Sequence, residues 1–370
     1  MLTDLRIRNF KSIRAVDLQL GRVTVLIGEN GCGKSNLLEA IAMATAGAGR
    51  GDKLEQGFLE SRGIRVSDPK FMRSAFSPAA PNIELRLTYE NERVALSLVQ
   101  DASDRYSSWR EDPKVSFFGI PNEDLIAPAP HAGMLAVDDL RVKLERIRPL
   151  TEYVIYSPEN SALRKFEEEG QIQPLGIKGE GLFKLVKALN AQAPRMAEIK
   201  DSLRLIDWFD DFQVPTDLAP FERHLELSDR YIDAAAEPLS RFDQRSANEG
   251  FLFLLFYFAL FISADTPKFF AIDNIDASLN PKLCTELMRR LALLAKKYDK
   301  QVVLTTHNPA ILDGLNLNDD EQRLFAVHRT SKGHTKLHRI SAPTPLADEP
   351  VVKLSEAFAR GLLGGLPQNF

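Results

Sequence analysis

The chain has 370 residues, with 47 Lys+Arg against 51 Asp+Glu for a net charge of −4, 44% hydrophobic residues and two cysteines. That apolar content supplies a large core and excludes a disordered chain, and two cysteines exclude a disulfide scaffold or a cysteine-rich structural zinc site. The near-neutral balance excludes a polybasic nucleic-acid binder while leaving room for a local basic stripe, and the length suggests two or three units of about 150 residues.

Asp4, Arg6 and Arg8 interrupt any apolar run at the start, so no signal peptide is read there. The first thirty residues read as β structure: Leu5, Ile7 and Phe10, then Val16, Leu18 and Leu20, then the β-branched run Val23–Ile27. From Ser35 the spacing of Leu37, Leu38, Ile41 and Ala42 predicts a helix. After a loop-rich stretch to residue 80, Ile83–Leu87 and Val94–Leu98 alternate around Glu90-Asn91-Glu92, as in an antiparallel hairpin. Residues 101–135 are proline-rich and carry no clear pattern. The middle, from about 136 to 236, reads as mostly helical, with a short strand at Tyr153–Tyr156. The α/β pattern then returns with a long apolar helix, a strand at Phe269–Ile272 and a helix from Pro281. A strand at Val302–Leu304 and a hairpin over 323–340 follow. The longest apolar stretch, Phe251 to Ile262, falls short of the roughly 18 residues of a membrane span, so a soluble, cytoplasmic protein with no membrane partner is expected.

Gly28-Glu29-Asn30-Gly31-Cys32-Gly33-Lys34-Ser35 satisfies G-x-x-x-x-G-K-[ST] between a strand and a helix. In such a loop the amides of Asn30, Gly31, Cys32 and Gly33 turn inward to cradle phosphates, helped by the positive end of the helix. Lys34 would reach the β- and γ-phosphates, and Ser35 would ligate Mg²⁺. Phe269-Phe270-Ala271-Ile272-Asp273 is an apolar strand ending in an acid, the place where a phosphate-loop protein puts the carboxylate that organises Mg²⁺. His307 ends the next strand, within expected reach of a γ-phosphate.

At these residues a family becomes visible. The opening Leu5-Arg6-Ile7-Arg8-Asn9-Phe10-Lys11-Ser12-Ile13, with its spacing to the phosphate loop, resembles the first strand of ABC-type ATPases of the RecF, SMC and OLD (overcoming lysogenization defect) group. The resemblance implies that Asp273 is the metal-shell acid, Asp276–Asn280 the D-loop and His307 the switch histidine. The stretch from Tyr156-Ser157-Pro158-Glu159-Asn160 through Gly176, Gly179 and Gly181 is similar to the connector of stand-alone AAA-type members. The tail Leu354–Phe370 is similar to bacterial members of that kind. The implied fold is an α/β ABC-type P-loop ATPase head with a mostly parallel sheet, an antiparallel β subdomain and a helical insertion. Its expected division is 1–135 and 241–342 for the two halves of the head, 136–240 for the insertion and 343–370 for the tail.

The same resemblance implies ATP and Mg²⁺ as cofactors and a signature segment about twenty residues before the acid-ended strand. Ser246-Ala247-Asn248-Glu249-Gly250 stands there. In relatives a serine and a glycine at this helix start contact the γ-phosphate held by the opposite subunit, which an exposed helix N-terminus favours. The usual serine is Ser246, or Asn248 takes its place. A homodimer or higher oligomer closed around ATP is implied.

One position departs from the family. A glutamate usually follows the metal-shell aspartate and polarises the attacking water, and here it is Asn274. An amide accepts no proton, so general-base help of roughly 10²–10⁴-fold is not supplied from this position. Three readings stay open: slow hydrolysis in an ATP-gated clamp, a carboxylate supplied by Asp276 or Glu249, or a partner that completes the site.

Arg141, Lys143, Arg146 and Arg148, with Arg164 and Lys165, leave duplex DNA open as a partner, although a solvated helix face is the preferred reading. Trp208, Phe209 and Phe212 beside Asp207, Asp210 and Asp211 suggest a helix end or a protein-docking patch rather than a stacking platform. No nearby histidine or lysine supports a metal cluster at those aspartates. Cys32 is expected to face nucleotide or solvent. Cys284 is expected inside a helix, and the phenylalanines at 251, 253, 256, 258 and 261 in the core. The residues after His307 are too few for a Toprim nuclease domain, so an effector, nuclease or toxin, is expected from a separate gene, as in bacterial anti-phage systems. The other readings are a RecF-like DNA repair ATPase and an ATP-dependent scaffold.

Overall fold

The computed structural model describes all residues except 50–51, 67, 81, 101–108, 113–115, 118–119, 122–141, 167–173, 216–221, 234, 236–239, 343–351 and 365–370. Most of the 101–135 stretch, Arg141 of the basic run and the last six residues of the tail lie outside the described residues.

The chain opens with β1 (Leu2–Phe10), β2 (Ile13–Gln19) and β3 (Val23–Ile27), then helices α1 (Lys34–Ala48) and α2 (Gln56–Ser61). Next come β4 (Ile83–Tyr89), β5 (Glu92–Val99), β6 (Arg110–Glu111), β7 (Ser116–Phe117), β8 (Ile120–Pro121) and β9 (Ile155–Tyr156). The middle holds α3 (Asn160–Lys165), α4 (Leu182–Asn190), α5 (Ala193–Leu203), β10 (Phe209–Gln213), β11 (Glu226–Asp229) and β12 (Arg241–Asp243). Then follow α6 (Glu249–Ile262), β13 (Phe269–Ile272), α7 (Pro281–Lys297), β14 (Gln301–Thr306), β15 (Gln322–Arg329), β16 (Thr335–Ile340) and α8 (Leu354–Ala359).

The central sheet runs β16-β15-β3-β14-β13-β9, parallel except for the edge strand β16. All five residues of β3 are buried, which is why it reads as one apolar run: a parallel strand is covered on both faces. The antiparallel sheet β2-β1-β4-β5-β6 instead alternates, with Ile83, Leu85 and Leu87 inside and Glu84 and Arg86 outside. Helix α1 touches β1, β4 and β5 of this second sheet as well as β9 and β14 of the first, and it is apolar nearly all round because it lies between them. Helix α6 is the other centre. Every residue from Phe251 to Ile262 is at most 3% exposed, packed against α3, α4, α5 and α7. Burying such Leu and Phe side chains stabilises the fold by ~1.5–3 kcal/mol each before entropy is set against it. The phenylalanines are core, as expected. Among the described residues no helix is long and apolar enough to cross a membrane.

Among the described residues the helical expectation for the middle holds in α3, α4 and α5, up to Leu203, and then fails. Residues 209–243 contain the antiparallel sheet β10-β11-β12. Trp208, Phe209 and Phe212 therefore do not end a helix, and Phe209 and Phe212 are buried at 0% and 1% exposure. The reason is a register shift between Phe209 and Asp211, which puts two aromatics three residues apart on the same face. That spacing imitates a helix in sequence. The aspartates beside them do not converge: Asp207 accepts from the Tyr231 hydroxyl, Asp210 from Ser228, and Asp211 pairs with Lys200.

Candidate functional site

Strand β3 delivers the chain into the loop Gly28–Gly33 and straight into α1. Gly33 stands at φ 107°, and a Cβ there would lie 2.1 Å from Thr335 Oγ1. A Cβ on Gly28 would lie 2.1 Å from the Val327 carbonyl oxygen. Both glycines are forced by the β15–β16 hairpin that backs the loop. A hydrogen-bond chain staples loop to hairpin: Asn36 Nδ2 to Ser12 Oγ at 2.6 Å, Ser12 Oγ to Thr335 Oγ1 at 2.7 Å, and Thr335 Oγ1 to the Cys32 carbonyl at 2.8 Å. Arg329 Nε adds a bond to the Gly31 carbonyl at 3.0 Å. With its carbonyls turned outward to these donors, the loop leaves the amides of Gly31 and Gly33 without an acceptor among the described residues, while the Lys34 amide is turned to the Cys32 sulfur. That is an anion nest at a helix N-terminus.

Lys34 is 5% exposed, and its ammonium donates to the carbonyls of Gly28 at 2.8 Å and Glu29 at 3.0 Å. Desolvation lowers its pKa, with Asp273 and Asp276 among the nearby charges that oppose the shift. His307 Nδ1 lies 3.3 Å from Lys34 Nζ. Desolvation and then the Lys34 charge hold the imidazole below its usual pKa, favouring the neutral form.

Asp273 leaves the end of β13 beside α1. Ser35 Oγ donates to Asp273 Oδ2 at 2.9 Å, and Thr305 Oγ1 donates to Asp273 Oδ1. A hydroxyl and a carboxylate side by side are hard oxygen donors of the kind Mg²⁺ takes together with phosphate and water, so the residues present fit the ion. One residue along β14, Thr306 Oγ1 donates to Asp276 Oδ1 at 2.6 Å. Consecutive threonines thus hold the two acids in place. Asn274 sits exposed between them at φ 57°, its amide donating to Thr305 Oγ1 at 2.9 Å. That left-handed conformation suits asparagine better than most side chains.

The segment Ser246–Gly250 lies at the start of α6. Asn248 is the N-cap and accepts from the Phe251 amide at 2.8 Å, whereas Ser246 Oγ turns back to Asp243. The amides of Glu249 and Gly250 have no acceptor among the described residues. A Cβ on Gly250 would meet nothing closer than 3.6 Å, so packing within the chain does not demand this glycine. Glu249 is held by Asn160 Nδ2 and Ser278 Oγ, both at 2.7 Å.

Two sequence expectations, for Cys32 and for Arg164, change here. Cys32 faces neither nucleotide nor solvent: it is 1% exposed, its Sγ 4.0 Å from Lys34 Nζ, because the loop turns it into the core under α1. Burial pushes its thiol pKa up, which keeps it protonated and unreactive. Of the basic run, Arg146 pairs with Glu92 and Arg148 with Glu145, as on a solvated helix face. Arg164 leaves the run altogether and points at backbone carbonyls of residues 244–247. Cys284 is buried in α7 as expected.

The sequence did not single out Thr305, Thr335 or Glu39. Glu39 is 1% exposed on α1 and accepts from Lys11 Nζ at 2.5 Å and Arg65 Nε at 2.6 Å, which ties the opening strand to the phosphate-loop helix. The doublet Thr305-Thr306 before His307 was the available signal for the first of these.

Comparisons with known proteins agree with this geometry. A family model described as "AAA domain" matches residues 4–206, and one described as "AAA domain, putative AbiEii toxin, Type IV TA system" matches residues 134–313. The OLD nuclease of Thermus scotoductus is 31% identical over 101 residues, covering 25% of this chain and 18% of that protein. The Septu protein PtuA of Bacillus mycoides is 24% identical over 318 residues, covering 84% of this chain and 38% of that protein. The chain thus spans well under half the length of either relative. Among solved structures, an SMC head bound to the C-winged helix domain of ScpA aligns with a TM-score of 0.57 at 16% identity, covering 92% of this chain and 97% of that one. An Smc head with an extended coiled coil, bound to the C-terminal domain of ScpA from Pyrococcus furiosus, aligns at 0.50 and 14% identity, covering 92% and 96%. These two likenesses establish the fold. With more than half its length matched by the AAA-domain family, the chain belongs to that family and is an ABC-type AAA ATPase of the RecF, SMC and OLD group.

Proposed function

We propose that this protein is an ATP-gated, dimerising ATPase with slow or conditional hydrolysis that controls a separately encoded effector in bacterial anti-phage defence. The observation that carries the reading is the convergence of Lys34, Ser35, Asp273 and His307 from three adjacent strands on one loop, with Asn274 in the place of the expected glutamate. The loop amides and the Lys34 ammonium would bind and neutralise the phosphates of ATP. Ser35 and Asp273 would hold Mg²⁺, which when bound supplies further charge neutralisation at the phosphates. Neutral His307 beside Lys34 can donate a hydrogen bond to the terminal phosphate. Asp276, fixed by Thr306, and Glu249, held by Asn160 and Ser278, are the carboxylates that could accept a proton from the attacking water in place of Asn274. The two free amides of Glu249 and Gly250, at a glycine that internal packing does not require, support a signature contact with the partner protomer's phosphate. The relative named PtuA and the family model naming a putative toxin support the defence setting; the step to an effector rests on that likeness.

The test measures native mass and phosphate release together, with and without ATP·Mg²⁺, on wild type and Lys34→Ala. An ATP-dependent shift to a dimer with little phosphate release, absent in Lys34→Ala, is expected. A monomer at saturating ATP overturns the clamp, and brisk turnover overturns slow hydrolysis.

A further inference from the structure

Helix α3, which follows β9, faces the start of α6 with two side chains one turn apart. Asn160 and Arg164 lie at i and i+4, and Arg164 Nε donates to Asn160 Oδ1 at 3.3 Å. Asn160 Nδ2 donates to Glu249 Oε1, while the other oxygen of that carboxylate accepts from Ser278 Oγ. The Arg164 guanidinium meets three carbonyls of the loop before α6: Ala247 at 2.9 Å, Arg245 in close contact and Gln244 at 3.5 Å. Gln244, fully buried, answers from the other side: its Nε2 donates to the Arg164 carbonyl at 3.3 Å and its Oε1 accepts from the Leu225 amide at 2.9 Å.

Three carbonyl dipoles aimed at one point repel each other unless a cation stands there. All three contacts are made by Nη1 while Nε holds Asn160, so the planar guanidinium ties the loop to Asn160 in one fixed fork, which a lysine ammonium on a flexible stem does not reproduce. Removing Arg164 therefore frees the loop 244–247 to turn, and with it the first turn of α6. Ser278, at φ 59°, belongs to the segment that runs on from Asp273 and Asp276. Glu249, at the start of α6, thus hydrogen-bonds α3 and the Ser278 hydroxyl, two residues along the chain from Asp276.

We infer that Arg164 and Asn160 are positioning residues that set the angle at which the segment Ser246–Gly250 is offered to the nucleotide of a partner protomer. This rests on the dimer reading proposed above. Neither residue touches the phosphate loop, so the role acts on assembly around ATP and not on ATP capture by one chain. It also accounts for a basic residue in the 141–165 stretch without an anionic ligand.

The experiment compares wild type, Arg164→Ala, Arg164→Lys and Asn160→Ala in the full chain. Three readouts are taken: affinity of the monomer for a fluorescent ATP analogue, ATP-dependent dimerisation by light scattering, and thermal midpoint. Arg164→Ala is expected to weaken dimerisation at least tenfold while analogue affinity stays within twofold. Arg164→Lys and Asn160→Ala should each lose dimerisation by several-fold at wild-type thermal midpoint, and they decide the matter if Arg164→Ala does not fold. Wild-type dimerisation in Arg164→Lys and Asn160→Ala overturns the inference, as does a parallel fall in analogue affinity and dimerisation. If wild type itself stays monomeric with ATP bound, the dimer reading fails and this inference fails with it.

Discussion

Ser35 and Asp273 lie 238 residues apart in the chain, yet the hydroxyl of one donates to the carboxylate of the other at 2.9 Å. Parallel pairing brings them together: β3 and β13 both lie against β14, and each runs out at the same edge of the sheet. Ligands of open α/β sheets bind beyond the carboxyl ends of the strands, and this pair stands there.

The first prediction concerns that pair. Asp273→Ala removes the acceptor of both Ser35 and Thr305 and one of the two oxygen donors that fit Mg²⁺. ATP should bind wild type at least tenfold more weakly when EDTA replaces Mg²⁺, and the variant should show no such dependence. Titration calorimetry in the two buffers checks this; a variant that keeps the full Mg²⁺ dependence removes Asp273 from the metal site.

Gly33→Ala is expected to be severe. Its φ of 107° strains any L side chain by ~1–3 kcal/mol, and the new Cβ would lie 2.1 Å from Thr335 Oγ1. The thermal midpoint should fall by several degrees and nucleotide binding should be lost. Gly250→Ala should leave the midpoint unchanged or slightly raised, because its Cβ has room. Melting curves of the two variants, measured side by side, test the contrast.

Asn274→Glu should speed phosphate release at least tenfold, since a general base contributes ~10²–10⁴-fold where its geometry is right. Strain at φ 57° of ~1–3 kcal/mol holds the gain toward the lower end. Asn274→Ala should release phosphate at the wild-type rate. Were Asn274→Glu to bind ATP normally and turn over no faster, the missing glutamate would not explain slow hydrolysis.

Lys300 gives a pH signature. Burial drops its pKa from 10.5 to about 8, although its ammonium donates to the Thr266 carbonyl, the Thr266 hydroxyl and the Pro267 carbonyl. Between these values the unfolded chain holds a proton that the folded one has released, so stability rises with pH. The contribution is complete above 10.5 and is lost as pH falls through about 8. The full span is worth about 3 kcal/mol. Urea midpoints of wild type should rise relative to Lys300→Met between pH 7.5 and 9.5, by part of that amount. Parallel curves for the two proteins would show that Lys300 does not titrate in this range.

Much of the site was legible because its chemistry is local. Eight consecutive residues, Gly28 to Ser35, spell a loop whose glycines and lysine are each required within one turn, and Asp273 closes an apolar strand. The β10–β12 sheet was hidden, since a bulge spaces Phe209 and Phe212 like a helix face. Cys32 was misplaced for a related reason: loop residues carry no periodicity from which facing can be read.

The sequence by itself determined the elements of the head, its phosphate loop, the acid at Asp273 and the departure at Asn274, because these follow from short-range patterns and residue chemistry. Only the tertiary structure decided which side chains meet. Thr305 holds Asp273, Thr335 holds the phosphate loop, and Arg164 turns away from a basic run to grip the start of α6. Such contacts join residues tens to hundreds of positions apart, and their distances depend on strand order and helix packing, which no local pattern encodes.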